Sequence, residues 1–223
     1  RNQALMFGIF SSLISVAALY FFSNLIAAIT LAITILFYVF VYTVWLKRKT
    51  PQNIVIGGAA GAFPPIIGWC IVSGDINIES VLMFLLIFIW TPPHFWTLAL
   101  FVKDEYSDAR VPMLTVTHGP EVAKRQIIVY ICLLCVLTLI MSFSKIGGPI
   151  FLFISTILNV IFVIRCVQLL PRTIEVSSND NYRLEKKAFV FSIYYLFLIF
   201  FAIGVEAVMR VLGVGAANWP YII

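Results

Sequence analysis

The chain has 223 residues, 62% of them hydrophobic and only 11% charged, with 15 Lys and Arg against 10 Asp and Glu. A soluble domain is nearer half apolar and one quarter charged, and a mean hydropathy of +1.04 excludes one. The composition is that of an all-α, polytopic membrane protein with the lipid bilayer around it and no nucleic-acid partner.

A bilayer core takes about 20 apolar residues per helix. Seven runs are long enough, near 4–22, 25–46, 53–73, 78–102, 122–143, 147–170 and 186–210, within one transmembrane domain over 1–223. The chain starts at Arg1 with no signal peptide before the first run, as expected of a segment with sequence upstream. The second run ends in YVFVYTVWLKRKTPQN, which gathers Lys47, Arg48 and Lys49 at a helix mouth. The third begins at Asn53, passes through GGAAGA (Gly57 to Ala62) and meets Pro64-Pro65. The fourth contains WTPPHFW (Trp90 to Trp96), with Pro92-Pro93 and His94 inside an otherwise apolar helix. Its following loop, KDEYSDARVPMLTVTHGPEVAKRQ, carries Asp104, Glu105 and Asp108. Cys132 and Cys135 form a CxxC within the fifth run, where they read as small apolar residues rather than a redox or metal pair. If the loops alternate sides, thirteen of the fifteen Lys and Arg, Arg1 included, share one side, leaving Lys145 and Arg210 on the other. The positive-inside rule places the crowded side in the cytoplasm.

Both proline pairs fall roughly 16 Å from that surface by helix rise. Each proline removes an amide donor and displaces the carbonyl four residues back. Lipid-facing backbone does not tolerate this, whereas backbone lining a polar cavity does. The expectation is a cavity between the third and fourth helices, with small residues Gly57 to Ala62 allowing close approach. His94 is then a functional candidate, as a proton carrier or as a neutral imidazole ligating haem iron. At the mouth, Lys47 and Arg48 suit phosphate. On a helical turn, Asp104 and Asp108 share a face with Glu105 beside them, an arrangement suited to Mg²⁺. Together these features describe a site for a lipid diphosphate, with its head in the loops and its tail in the cavity.

TPQNIVIGGAAGAFPPIIGW (Thr50 to Trp69), WTPPHFWTLAL (Trp90 to Leu100) and EYSDARVPML (Glu105 to Leu114) resemble the protohaem IX farnesyltransferases, or haem O synthases. These are UbiA-type intramembrane prenyltransferases. The resemblance implies transfer of farnesyl from farnesyl diphosphate to a vinyl group of haem B, which is a substrate rather than a cofactor. It implies a nine-helix bundle, of which the seven runs are the third to ninth helices. It also implies two Asp-rich loops holding Mg²⁺, the first of them upstream of Arg1, so that this segment alone is expected to be inactive. The second loop departs from the family pattern: Arg110 and Asp108 replace the usual Gly and Ala, leaving Glu105 as the safer acidic ligand. On this reading Asp104, Glu105 and Asp108 hold metal, and Asn53 bonds diphosphate or a metal-bound water. Tyr38, Tyr42, Trp90, Phe95 and Trp96 offer aromatic faces to an allylic cation. His94 positions the porphyrin, and Arg165 pairs with a haem propionate. Haem A synthase or a terminal oxidase is the expected protein partner. Short loops and the lack of a transit segment favour a bacterial plasma membrane over a mitochondrial inner membrane. The competing readings are a UbiA-type enzyme for another aromatic acceptor and a transporter, whose broken helices also mark substrate pathways.

Overall fold

The computed structural model describes residues 2–213 and 219–222; Arg1, counted above on the basic side, lies outside the described residues. Among the described residues, seven spans are long and apolar enough to cross a membrane. The first is α1 (Asn2–Phe22), which packs on α2 and buries none of its own residues. The second is α2 (Leu25–Leu36) continuing into a π-helical stretch, Phe37–Leu46. The third is divided into α3 (Asn53–Gly61) and α4 (Pro64–Ser73). Next come α5 (Ile78–Ala99), the short α6 (Lys103–Asp108) and α7 (Leu114–Thr117), then α8 (Pro120–Ser142) and α9 (Pro149–Val167). The short α10 (Ile174–Asn179) leads into α11 (Arg183–Val211).

Helix ends follow local chemistry. Asn24 caps α2 by accepting from the Ala27 amide at 2.9 Å, and its own amide reaches the Cys70 carbonyl at 2.6 Å, tying α2 to α4. Asn77 and Ser80 form a reciprocal capping box at the start of α5. Pro120 and Pro149 open α8 and α9 at a position where a missing amide costs nothing.

The two proline pairs behave differently, which corrects the expectation that both break helices beside a cavity. At Pro64-Pro65 the chain does break, and the prolines restart it as the first turn of α4. At Pro92-Pro93 α5 runs on without interruption, and both prolines are buried in the packed interior. Thr91 Oγ1 bonds the Ile87 carbonyl at 2.7 Å and Thr97 Oγ1 the His94 carbonyl at 2.7 Å, so both hydroxyls are satisfied within their own helix.

Helix α5 packs against α3, α4, α8 and α11 and is the post of the bundle. Lipid tails are as apolar as leucine, so specificity here comes from close packing and interhelical hydrogen bonds. The core holds Leu86, Trp96, Leu134, Phe151, Phe162 and Ile199. Within it Tyr195 Oη donates to Asn159 Oδ1 at 2.8 Å, and Asn159 Nδ2 donates to Thr138 Oγ1 at 2.8 Å, joining α11, α9 and α8.

Candidate active site

Between the π-helical stretch, α3 and α5 lies a cavity of about 300 Å³. Tyr38, Tyr42, Trp90 and Phe95 give it aromatic walls, and Gly57, Gly58 and Gly61 give it a floor of bare backbone. The cavity therefore sits where the third and fourth spans meet, but glycines and aromatics line it and the prolines do not. The π geometry is what the reading of 25–46 as one ordinary helix missed. Its i→i−5 bonds, such as Lys47 N–H to the Tyr42 carbonyl at 2.8 Å, widen the turn and set Tyr38 and Tyr42 side by side, ring centroids 5.3 Å apart. π-Helical turns are rare and concentrate at functional sites.

The glycines are sterically required in two places. A Cβ on Gly57 would lie 2.5 Å from the Tyr42 ring, and one on Gly58 2.8 Å from Thr91 Cγ2. A Cβ on Gly61 would meet nothing within 4 Å, because that position faces the open cavity.

At the charged mouth, Lys47 Nζ lies 6.0 Å from the Tyr42 ring centroid. Asn53, buried at 1% exposure, donates from Nδ2 to the Lys47 carbonyl at 3.2 Å, while its Oδ1 has no partner. Glu105 and Tyr106 follow on α6, in the loop after α5. Burial pushes the Tyr106 phenol above its ordinary value, and the Glu105 carboxylate adds to the rise, so Tyr106 keeps its proton as a donor. Arg48, Glu105 and Asp108 are exposed.

Three sets of sequence-derived candidates do not line this cavity. Among the described residues, no three His, Cys, Asp or Glu side chains converge on one point, so Asp104, Glu105 and Asp108 do not form a cage. Asp104 instead lines a separate pocket of about 130 Å³ with Lys103, Lys124 and Glu185, because neighbouring residues on α6 point about 100° apart. Trp96 is 1% exposed and packs edge-on against Tyr130 of α8, as core and not cavity wall. Arg165 lies in another groove, with Lys186 and Lys187. Cys132 and Cys135 are free thiols on α8.

His94 lies on the far side of Trp90 from the cavity. Its ring stacks between Trp90, at 4.3 Å between centroids, and Phe189 of α11, at 4.9 Å. Its Nδ1 is 2.7 Å from Ser192 Oγ, and Trp90 Nε1 donates to the Ser192 carbonyl at 2.9 Å. Ser192 has one hydroxyl hydrogen, and the Phe189 carbonyl takes it at 2.5 Å. The serine oxygen therefore accepts, and the His94 proton resides on Nδ1. Neutral His94 is left with its lone pair on Nε2. Nothing in the sequence near residue 192 signals this contact, 98 residues from His94.

Residues 1–193 match the family described as the UbiA prenyltransferase family. The chain belongs to the UbiA prenyltransferase family. It is 54% identical over 205 residues to the protoheme IX farnesyltransferase of Paracoccus denitrificans (strain Pd 1222), covering 92% of this chain and 67% of that protein. It is 51% identical over 214 residues to the protein of that name from Ruegeria pomeroyi, covering 96% of this chain and 67% of the relative. A third, from Cereibacter sphaeroides (strain ATCC 17029 / ATH 2.4.9), is 52% identical over 214 residues, covering 96% and 69%. No solved structure matches the chain significantly. In this UbiA member the matched region includes the whole cavity and mouth, and ends just past Ser192.

Proposed function

We propose that this protein is a protohaem IX farnesyltransferase, joining the farnesyl group of farnesyl diphosphate to a vinyl group of haem B and releasing diphosphate. The observation that carries the reading is an aromatic-walled intramembrane cavity with Lys47 and Asn53 beside its Tyr42 wall, in a chain about half identical to relatives of that name.

In this reading Lys47 and Arg48 bind the diphosphate, Tyr106 donates a hydrogen bond to it, and the farnesyl tail lies along the glycine floor. Magnesium suits the mouth on donor chemistry, because it binds through one or two carboxylates together with substrate phosphates and waters. The exposed Glu105 carboxylate and the orphaned Asn53 Oδ1 are the oxygen donors that would hold it. When bound, Mg²⁺ neutralises negative charge on the leaving diphosphate. The C1–O bond of the substrate breaks with its electron pair leaving on diphosphate. Tyr38, Tyr42 and Trp90 face the allylic cation. The haem vinyl carbon attacks C1, and water captures the cation left on the haem side chain, losing a proton to give the hydroxyethylfarnesyl group. His94 holds the haem through Nε2, with Ser192 and the two stacked rings fixing its plane. We place the mouth on the cytoplasmic side of a bacterial plasma membrane, in line with the charge asymmetry of the loops.

The test is product formation by the protein in membranes supplied with haem B and farnesyl diphosphate, followed by mass spectrometry. Haem O is the expected product. Prenylation of 4-hydroxybenzoate in place of haem would assign another acceptor, and solute flux without any covalent product would assign a transporter.

A further inference from the structure

We propose that the groove between α9 and α11 is a binding site for one anionic phospholipid. Arg165, Lys186 and Lys187 line this open groove of about 380 Å³ together with Val190, Phe191 and Tyr194. Arg165 lies two residues before the end of α9 at Val167, and the two lysines lie at the start of α11. All three cations thus stand at the end of the bundle where headgroups are found.

The groove has no carboxylate in its lining. The acidic residues nearest in sequence are engaged elsewhere. Glu185 Oε1 accepts from Arg172 Nε at 2.9 Å and from Ser177 Oγ at 2.6 Å, and Asp180 accepts from Arg172 Nη2 at 2.7 Å. Among the described residues, neither Arg165 nor Lys187 enters an ion pair. Lys186 spends one donor on Asn181 Oδ1 at 2.9 Å and keeps two. Below the cations, Val190 and Tyr194 are 46% and 60% exposed and continue the wall roughly 10 Å down the helix from Lys187. A soluble phosphate would use the cations and leave this wall bare. A zwitterionic lipid would use the wall and leave the cations unneutralised. An anionic phospholipid uses both, with its phosphate between the two helices and its first acyl segment against Tyr194. Such basic pockets between transmembrane helices suit anionic headgroups.

Arg165 lies in a different groove from the farnesyl cavity.

The protein in nanodiscs of phosphatidylcholine doped with phosphatidylglycerol, released into native mass spectrometry, provides the test. One phosphatidylglycerol should remain bound per chain. Arg165→Gln and Lys187→Gln should each weaken its retention by ~5-fold. Arg125→Gln, which removes a charge from an exposed position on α8 at the same end, should leave retention unchanged. Lys187→Glu, a single reversal at an exposed site, should abolish retention without altering the unfolding midpoint. Equal losses for the Arg125 and Arg165 variants would reduce the site to diffuse attraction and overturn it. So would displacement of the lipid by glycerol 3-phosphate at equal concentration, or loss of haem binding in the Arg165 variant.

Discussion

His94 shows how one contact decides the chemistry of a residue. The imidazole can carry its proton on either nitrogen, and the Ser192 hydroxyl, already committed to the Phe189 carbonyl, selects Nδ1. Ser192→Ala removes the acceptor and leaves the proton free to distribute between both nitrogens. The chain has only two histidines, so ¹⁵N spectra of histidine-labelled protein resolve His94 once a His118 variant has been recorded. The native spectrum should show a single Nδ1–H tautomer and the Ser192 variant a mixture; a mixture in the native protein refutes the assignment. Haem affinity should fall ~10-fold in Ser192→Ala, the lower end for loss of an orienting partner. His94→Ala should lower haem affinity further while leaving farnesyl diphosphate binding nearly intact. Equal loss of both ligands would show that His94 does not belong to the haem side. At the mouth, Lys47→Ala with Arg48→Ala should weaken diphosphate binding first, as titration with farnesyl diphosphate would show; unchanged affinity would make the cluster purely topological.

At the scale of the element, the glycines of α3 divide into two kinds. Gly57 admits the Tyr42 ring and has no room for a methyl group, whereas Gly61 faces open space. Gly61→Leu should fold normally, since leucine is a better helix former than glycine. Its side chain shortens the cavity, so the ratio of kcat/KM for geranyl over farnesyl diphosphate should rise ~10-fold or more, within the range of hydrophobic-pocket discrimination. Gly57→Ala instead displaces Tyr42 and should lower kcat/KM for both donors alike. A Gly61 variant with unaltered chain-length preference would place the prenyl tail elsewhere. The π-helical stretch belongs to the same scale: FYVFVYTVWL is rich in β-branched and aromatic residues that fit an α-helix less readily than leucine or alanine, and it yields to the wider turn beside the cavity.

At the scale of the whole molecule, α11 is held at both ends. At the loop-rich end Arg172 bridges Glu185 and Asp180, with Glu185 only 2% exposed in its side chain. Arg172→Gln leaves that buried carboxylate without its cationic partner and with only the Ser177 hydroxyl, and breaking a buried pair in this way typically costs about 3–5 kcal/mol. A clear fall in the thermal unfolding midpoint in detergent is the expected result, and an unchanged midpoint would show that the clamp contributes nothing. The hydrogen bond from Arg172 holds the Asp180 carboxyl below the usual carboxylate range. A lowered carboxyl pKa contributes stability above the ordinary value, and that contribution is lost as pH falls through the lowered one. The acid sensitivity of the bundle should therefore be smaller in Asp180→Asn than in the native protein. At the other end Glu206, fully buried, accepts from the Phe151 amide at 2.9 Å and anchors the first turn of α9.

The sequence by itself determined the class and the number of spans, because apolar length alone decides what crosses a bilayer. It also placed the cavity between the third and fourth spans and put Trp90 and Phe95 beside it, since motif and helix share one local register. It misread the prolines, because whether a helix breaks depends on the packing around it: Pro92 and Pro93 are buried within α5, while Pro64 and Pro65 form the first turn of a new helix. It could not separate Trp96 from Phe95, because adjacent helical residues face different partners once the bundle is packed. The Ser192 contact, the π-helical turn and the groove of Arg165 were settled by tertiary structure alone. The Ser192 contact and the groove depend on side chains brought together across helices, and sequence spacing carries no record of such a meeting.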